Sequence, residues 1–337
     1  VSSASTALHI SCIAAGLEKN QKMITSPITF VSSSNAALFC GAKPLFSDID
    51  KKTINISDLS INKSFQNLNN VKLIMPVHLA GYPCDMYKIN NLAKRNNIKI
   101  IEDASHALGA RYSDGSYVGS NKYSLMTVFS LHPVKIIAAG EGGVITTNDK
   151  NTYETLLRLR SHGIEKDVKK FLINKKNQKK IGKWYYQVKD LGFNYRITDI
   201  QAALANSQLD KINLFLKKRR ILAKRYHALF KNFNNIYPAQ TFNKYSSYHL
   251  FIVRINFSKL NLSKKEFVDI LYKKGIITQI HYIPVPSHKY YKKLGYKTSN
   301  IKEALKYYKE GLSIPIYYNL SFRDQDYIVN EIKKLIN

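Results

Sequence analysis

Apolar and polar positions follow two alternating rhythms over the first two hundred residues. Short apolar runs at Met23–Ser26, Lys43–Ile49, Val71–Val77, Ile98–Ile101, Ser124–Ser130 and Gly143–Thr147 read as strands. Between them Ser5–Gly16 and Val31–Cys40 are helical in pattern, and Met86–Asn96 is amphipathic at helical spacing. Short buried strands separated by helices predict an α/β fold, with a mostly parallel sheet covered on both faces. From Ile197 a helical pattern runs through Gln201, Leu209 and Phe215 towards Phe230 without an internal Pro or Gly. It predicts one long helix acting as a spine between two lobes. Beyond it come a strand near Tyr248–Ile255, a helix at Lys264–Lys274, a strand at Ile277–Ile280 and closing helices after Ile301 and Ser321. That order predicts a large domain over residues 1–210 and a smaller α+β C-terminal domain over 211–337. The Lys-rich stretch Glu165–Lys183 is expected to be a solvated loop.

The 337 residues are 45% hydrophobic and 22% charged, as in an ordinary soluble globular protein. No apolar run approaches the roughly 18–20 residues of a membrane span. No secretory leader pattern is present either, so a cytoplasmic location is expected. The chain opens at Val1 without an initiator Met, which leads us to expect that residues precede it. Three scattered cysteines, Cys12, Cys40 and Cys84, predict neither a disulfide framework nor a metal site. The unusual number is charge: 52 basic against 23 acidic residues, a net +29. Such a field attracts nucleic acid, anionic lipid or phosphorylated small molecules. The basic residues are nevertheless spread along the chain, densest in Lys166–Lys183 and Lys217–Lys224, and match no nucleic-acid-binding motif. Compositional bias is the favoured account. A non-catalytic basic protein that binds nucleic acid or membrane surfaces is the distant alternative.

Three segments carry candidate chemistry. In Ile100–His106 a strand ends on the acidic pair Glu102–Asp103, and ligands of open α/β sheets sit at the carboxyl ends of strands. Asp103 is thus placed either to pair with a cofactor's ring nitrogen or to cap the next element. In Val128–Lys135 another strand runs into a lysine inside an apolar stretch, ahead of Gly140-Glu141-Gly142-Gly143. A desolvated lysine loses basicity and can form imines; the other reading is a surface lysine after a strand. Ser3–Leu8 opens a helix with small hydroxylated residues, which suits either a phosphate cradle or a plain N-cap. Phe30, after a strand, could stack on an aromatic ring or fill the core.

In order and spacing, S-S-A-S-T-A-L-H, P-I-T-F-V-S-S-S-N-A, E-D-A-S-H-A-L-G-A, F-S-L-H-P-V-K, G-E-G-G, G-F-N-Y-R-I-T-D-I-Q-A-A-L and H-Y-I-P-V resemble the DegT-type sugar-nucleotide aminotransferases. These are a branch of the fold-type-I pyridoxal-phosphate (PLP) enzymes, and the resemblance spans essentially the whole chain. It implies PLP as cofactor, with Lys135 as the Schiff-base lysine and Asp103 as the partner of the pyridine nitrogen. His106 would lie beside the cofactor's phenolic oxygen. Ser5, Thr6 and Ser130 would hold its phosphate, and Phe30 would cover its ring face. Asn194 would reach the cofactor of a neighbouring subunit, implying a homodimer with shared active sites. Arg196, His281 and Tyr282 match positions lining the sugar-nucleotide pocket, although an ion pair for Arg196 and a packed strand end for His281–Tyr282 also remain open.

Within the family, F-S-L-H-P-V-K, Ser161–Ile164 and H-Y-I-P-V are most similar to the pseudaminic-acid branch. That implies a UDP-linked 4-keto-6-deoxy amino sugar as acceptor and glutamate as amino donor. The alternative within the family is another 4-keto sugar nucleotide, of the 4-amino-arabinose or perosamine type. The chain departs from the family pattern where Ala4-Ser5 replaces a commoner Gly-Thr or Ala-Thr pair, where Ile136–Ala139 is unusually apolar, and at Pro286-Ser287-His288, which leaves the sugar in doubt.

Overall fold

The structure, a computed structural model, describes residues 1–65, 69–173 and 181–336. Its main sheet holds β1 (Lys22–Thr25), β2 (Lys43–Phe46), β3 (Val71–Met75), β4 (Lys99–Asp103), β5 (Met126–Ser130) and β6 (Gly143–Thr146) in the order β2-β1-β3-β4-β5-β6. The first five are parallel, and β6 runs antiparallel to β5. Successive residues on a strand face opposite sides, so each strand feeds two cores. Met23, Leu73, Ile101 and Val128 pack with α1 (Ala4–Ala14), α2 (Ser32–Phe39) and α5 (Lys150–Leu159). Their neighbours Ile24, Ile74, Ile100 and Phe129 pack on the other face with α3 (Asp58–Ser64) and α4 (Met86–Arg95). Burial on both faces explains why these strands read as apolar runs rather than alternating ones.

A two-stranded antiparallel pair, β7 (Ile164–Glu165) with β8 (Gln187–Val188), brackets the expected loop Glu165–Lys183, of which residues 174–180 lie outside the described residues. The expected spine helix is two helices, α6 (Asp199–Leu209) and α7 (Ile212–Leu229). Local propensity is continuous, but docking is not. α7 buries Leu216, Arg219, Leu222, Ala223 and Tyr226, whereas α6 buries none of its side chains. Arg219 Nη1 donates to the carbonyls of Tyr248, His249 and Ile316, pinning α7 to the second sheet.

That sheet is antiparallel, with order β11-β10-β9 from β9 (Ile236–Pro238), β10 (Phe251–Ile255) and β11 (Gly311–Ile314). α8 (Lys264–Lys273), α9 (Lys289–Lys293), α10 (Lys302–Glu310) and α11 (Phe322–Ile336) complete the chain. The expected strand at Ile277–Ile280 makes only an isolated bridge, Gln279 to Ser313. β11, too short to stand out in the sequence, supplies the ladder beside β10 instead. One apolar cluster joins the two sheets' surroundings, with Ile28, Phe46 and Leu79 against Ile252, Val285 and Tyr307. None of the described helices is long and apolar enough to cross a membrane.

Candidate active site

A cavity of about 290 Å³ opens at the carboxyl ends of β1, β3, β4 and β5, with Lys135 and Asp103 both on its wall. The start of α1 forms one side. Ser3 is the N-cap: its side chain accepts from the Thr6 amide, and the Thr6 hydroxyl accepts from the Ser3 amide. Thr6 also donates its hydroxyl to the Ser3 carbonyl at 2.8 Å, so this side chain is spent on the cap and does not line the cavity. Ala4 and Ser5 do line it, and first-turn amides have no intrahelical acceptor. The Ser5 hydroxyl sits 2.7 Å from that of Ser32. Gly143 permits this arrangement, because a Cβ there would stand 2.4 Å from the Ser3 carbonyl oxygen and 2.8 Å from the Ala4 nitrogen. Both are backbone atoms of the helix start, so a side chain at 143 would displace the cradle.

Strand alternation separates the acidic pair. Glu102 points away from the cavity and accepts from Tyr112 at 2.6 Å and from Ser124 and Thr127. His78 Nδ1 accepts from the Cys84 amide, so its proton lies on Nε2 and is donated to Glu102 at 2.7 Å. Burial opposes charge on Glu102, but these donors outweigh it and hold the carboxyl below its usual range. Asp103 points into the cavity and is 4% exposed. Its Oδ1 accepts from the Ser105 amide at 3.1 Å and hydroxyl at 2.6 Å, and its Oδ2 from Ser33 at 2.6 Å. Because the single Ser33 proton goes to Asp103, the Thr29 hydroxyl 2.7 Å away must donate to Ser33. Asp103 therefore closes a local turn, but no helix begins after it.

Lys135 follows β5 on a turn closed by its own amide to the His132 carbonyl at 2.9 Å. Burial pushes its pKa down to about 8, against the opposing pull of Asp103. In the protein without ligand, acylation of Lys135 by acetic anhydride is accordingly expected to rise with a midpoint near pH 8, not at the 10.5 of an exposed lysine. The sign follows from the neutral amine being the nucleophile. Peptide mass spectrometry over a pH series reads the midpoint, and a value above pH 10 would show that burial does not depress this amine.

Ser130, 7% exposed at the end of β5, lines the cavity, with its hydroxyl accepting from the His132 amide. Phe30 is no core residue: it is 59% exposed on the cavity wall, its ring 6.3 Å from that of Tyr282. His106 also lines the cavity, but both ring nitrogens are engaged within the protein. Nδ1 accepts from the Ala80 amide at 3.3 Å, and Nε2 lies 3.2 Å from the Tyr282 hydroxyl. The ring stands on the wall of the Lys135 cavity with Tyr282 as its neighbour there. Burial, then repulsion from Lys135, His249 and His281, holds its pKa well below the usual value.

Tyr282 lines the Lys135 cavity, whereas its neighbour His281 lines an adjoining cavity of about 590 Å³. His281 Nδ1 is 2.9 Å from Ser313 Oγ, and burial lowers its pKa to about 4. Asn194 and Arg196 are exposed and do not line the Lys135 cavity of their own chain. Arg196 lines a separate hollow with Glu154, Arg158 and Lys170. The sequence reading overlooked Thr29, Ser33 and Ser105; the hydroxyl run Ser32-Ser33-Ser34 after a strand end was the available signal.

The DegT/DnrJ/EryC1/StrS aminotransferase family model matches residues 1–333. The chain is 34% identical over 339 residues to the UDP-4-amino-4,6-dideoxy-N-acetyl-beta-L-altrosamine transaminase of Campylobacter jejuni, covering 100% of this chain and 84% of that protein. It is 32% identical over 340 residues to the spore coat polysaccharide biosynthesis protein SpsC of Bacillus subtilis, again covering 100% of this chain and 84% of the relative. Among solved structures, Helicobacter pylori PseC, an aminotransferase involved in the biosynthesis of pseudoaminic acid, superposes with a TM-score of 0.87 at 31% identity, covering 99% of this chain and 85% of that one.

Proposed function

The chain belongs to the DegT/DnrJ/EryC1/StrS aminotransferase family, and on that premise we propose that its Lys135 cavity aminates the 4-keto carbon of a UDP-linked 4-keto-6-deoxy amino sugar with nitrogen from glutamate. The broader class, a PLP-dependent sugar aminotransferase of fold type I, follows from the family and its relatives. One observation carries the assignment to this cavity. It holds a buried amine of lowered basicity and a carboxylate fixed by hydroxyl donors on both oxygens.

The residues fit the cofactor. The first-turn amides of α1 with the Ser5 and Ser130 hydroxyls suit a phosphate, the exposed face of Phe30 suits a flat ring, and Asp103 suits a protonated ring nitrogen. When bound, the cofactor supplies the electron sink that lets a carbon-bound proton leave. The protein's own part follows from its geometry. Lys135 Nζ, uncharged above about pH 8, would carry the proton from the donor's α-carbon to the cofactor in the first half-reaction and from the cofactor to the acceptor's C4 carbon in the second. Asp103, held by Ser33 and Ser105, would present its carboxylate to the ring nitrogen. We assign residues 1–210 to holding the cofactor and residues 211–337 to closing over it through Tyr282. Separate apolar clusters around the two sheets support that division.

The pseudaminic-acid substrate rests on the names of the Campylobacter and Helicobacter relatives. Another 4-keto sugar nucleotide, of the 4-amino-arabinose or perosamine type, is the rival reading. Purified enzyme with glutamate and a panel of UDP- and dTDP-linked keto sugars separates them by product mass and NMR. Exclusive turnover of a dTDP sugar would reject the UDP assignment.

α6 supports a homodimer. Ile200 is 84% exposed, Leu204 is 44% exposed, and no side chain of α6 is buried in its own chain. A second copy over this apolar face would bring Asn194 and Arg196, immediately before α6, to the partner's cavity. The double variant Ile200→Asp, Leu204→Glu is expected to sediment as a monomer and to lose turnover in proportion. Monomers with full activity would show that each site is complete in one chain.

A further inference from the structure

Ala80 sits in the short turn Leu79–Gly81 with φ of +60°, a left-handed backbone that an alanine adopts only at a cost. The turn is held on both sides. The Leu79 amide donates to Asn55, the Leu79 carbonyl accepts from Gln240, and the Gly81 carbonyl accepts from Ser246. So fixed, the Ala80 amide aims at Nδ1 of His106. An amide N–H can only donate, so Nδ1 must present its lone pair. A neutral imidazole then carries its one proton on Nε2, which faces the Tyr282 oxygen at 3.2 Å. The reverse bond, Tyr282 donating to Nε2, would put a proton on Nδ1 against the Ala80 N–H. The ring cannot escape by becoming cationic, because Lys135, His249 and His281 surround it and burial disfavours the charge. Tyr282 stays a phenol for related reasons, burial first and then the Asp103 charge. Its oxygen accepts from His106, and its own proton has no acceptor among the described residues.

We infer that His106 is a positioning residue that acts through Tyr282: its Nε2–H fixes the Tyr282 oxygen as acceptor and turns the Tyr282 proton into the cavity, to be donated to an oxygen of the group bound beside Lys135. This rests on the aminotransferase reading, which places such an oxygen there. Two oxygens share the required chemistry, the phenolic oxygen of the cofactor and the keto oxygen of the sugar.

Nitrogen-15 NMR of the cofactor-free protein, with the His106 signal assigned by its loss in His106→Gln, tests the tautomer without reference to catalysis. The expected result is an Nε2–H imidazole that stays neutral through pH 6. An Nδ1–H tautomer overturns the proposal whatever the enzyme's activity. In the loaded enzyme Tyr282→Phe is expected to lower kcat roughly tenfold to a hundredfold, the range for one hydrogen bond to a charged or developing charge. His106→Leu should lose a similar factor, His106→Gln should recover most of it, and the double variant should be no slower than Tyr282→Phe alone. A double variant slowed by the product of the single effects would mean that His106 does not act through Tyr282. If Tyr282 meets the cofactor, both half-reactions slow and the cofactor's visible band shifts. If it meets the sugar, only the sugar half-reaction slows. No loss in either half-reaction sinks the proposal, while the Lys135 and Asp103 variants test the reaction itself independently.

Discussion

Lys135→Ala is expected to abolish turnover and to remove the visible absorbance of the lysine-bound cofactor, with the fold unchanged. Among the described residues Lys135 carries the only lysine amine on the cavity wall, so none of those neighbours can take its place. The loss of its proton transfer alone costs roughly 10²–10⁴-fold in rate. Its covalent hold on the cofactor adds to that. The fold is expected to tolerate the change because the turn is closed by backbone bonds, Lys135 to His132 and Ala139 to Leu131, each 2.9 Å. Absorbance spectra and single-turnover assays with glutamate check both parts. A variant that keeps the band and transfers nitrogen would move the chemistry to another amine.

Asp103→Asn should bind the cofactor yet lower kcat by about 10²–10³-fold, the usual cost of losing one preorganised electrostatic partner. The substitution keeps the shape, so it isolates the charge. Its amide oxygen can still accept from Ser105, and the Ser33 hydroxyl can rotate to accept from the new amide nitrogen, with Thr29 turning in step. What disappears is the negative charge facing the ring nitrogen, and with it the protonated ring that draws electrons. Steady-state kinetics alongside cofactor titration separate the two quantities. A kcat within a few-fold of wild type at full cofactor occupancy would show that Asp103 serves only as a turn.

Much of this protein was legible along the chain because its determinants are local. Apolar runs at strand length, separated by helical stretches, predicted the sheet whose alternate residues feed cores on both faces. Lys135 and Asp103 stood out locally as charged residues at and beyond strand ends, each with a structural alternative beside it, and the resemblance gave them their roles; the structure puts both on the wall of the cavity at the sheet's carboxyl edge. Alternation also required Glu102 and Asp103 to face opposite ways, but the sequence alone left open which face held the site.

Everything decided by distant partners had to wait for the tertiary structure. Nothing between Ile197 and Phe230 breaks a helix; the break at Asp210–Lys211 separates α7, which buries Leu216, Leu222 and Tyr226, from α6, which buries no side chain and rests the partly buried Ala205 on the Leu131, Ile137 and Ala139 cluster. The stretch Ile277–Ile280 had strand character but forms a single bridge, Gln279 to Ser313 on the edge of β11 away from β10. Ser5 and Thr6 were both expected at the phosphate, and only the folded helix start shows the Thr6 hydroxyl engaged in the capping box with Ser3. His106 and Tyr282, 176 positions apart, and the Ala80 amide that orients them meet only in the folded chain. Periodicity and burial are properties of a segment and its solvent, so the sequence carries them. Hydrogen-bond direction and docking are properties of two segments together, and only folding brings those partners within reach.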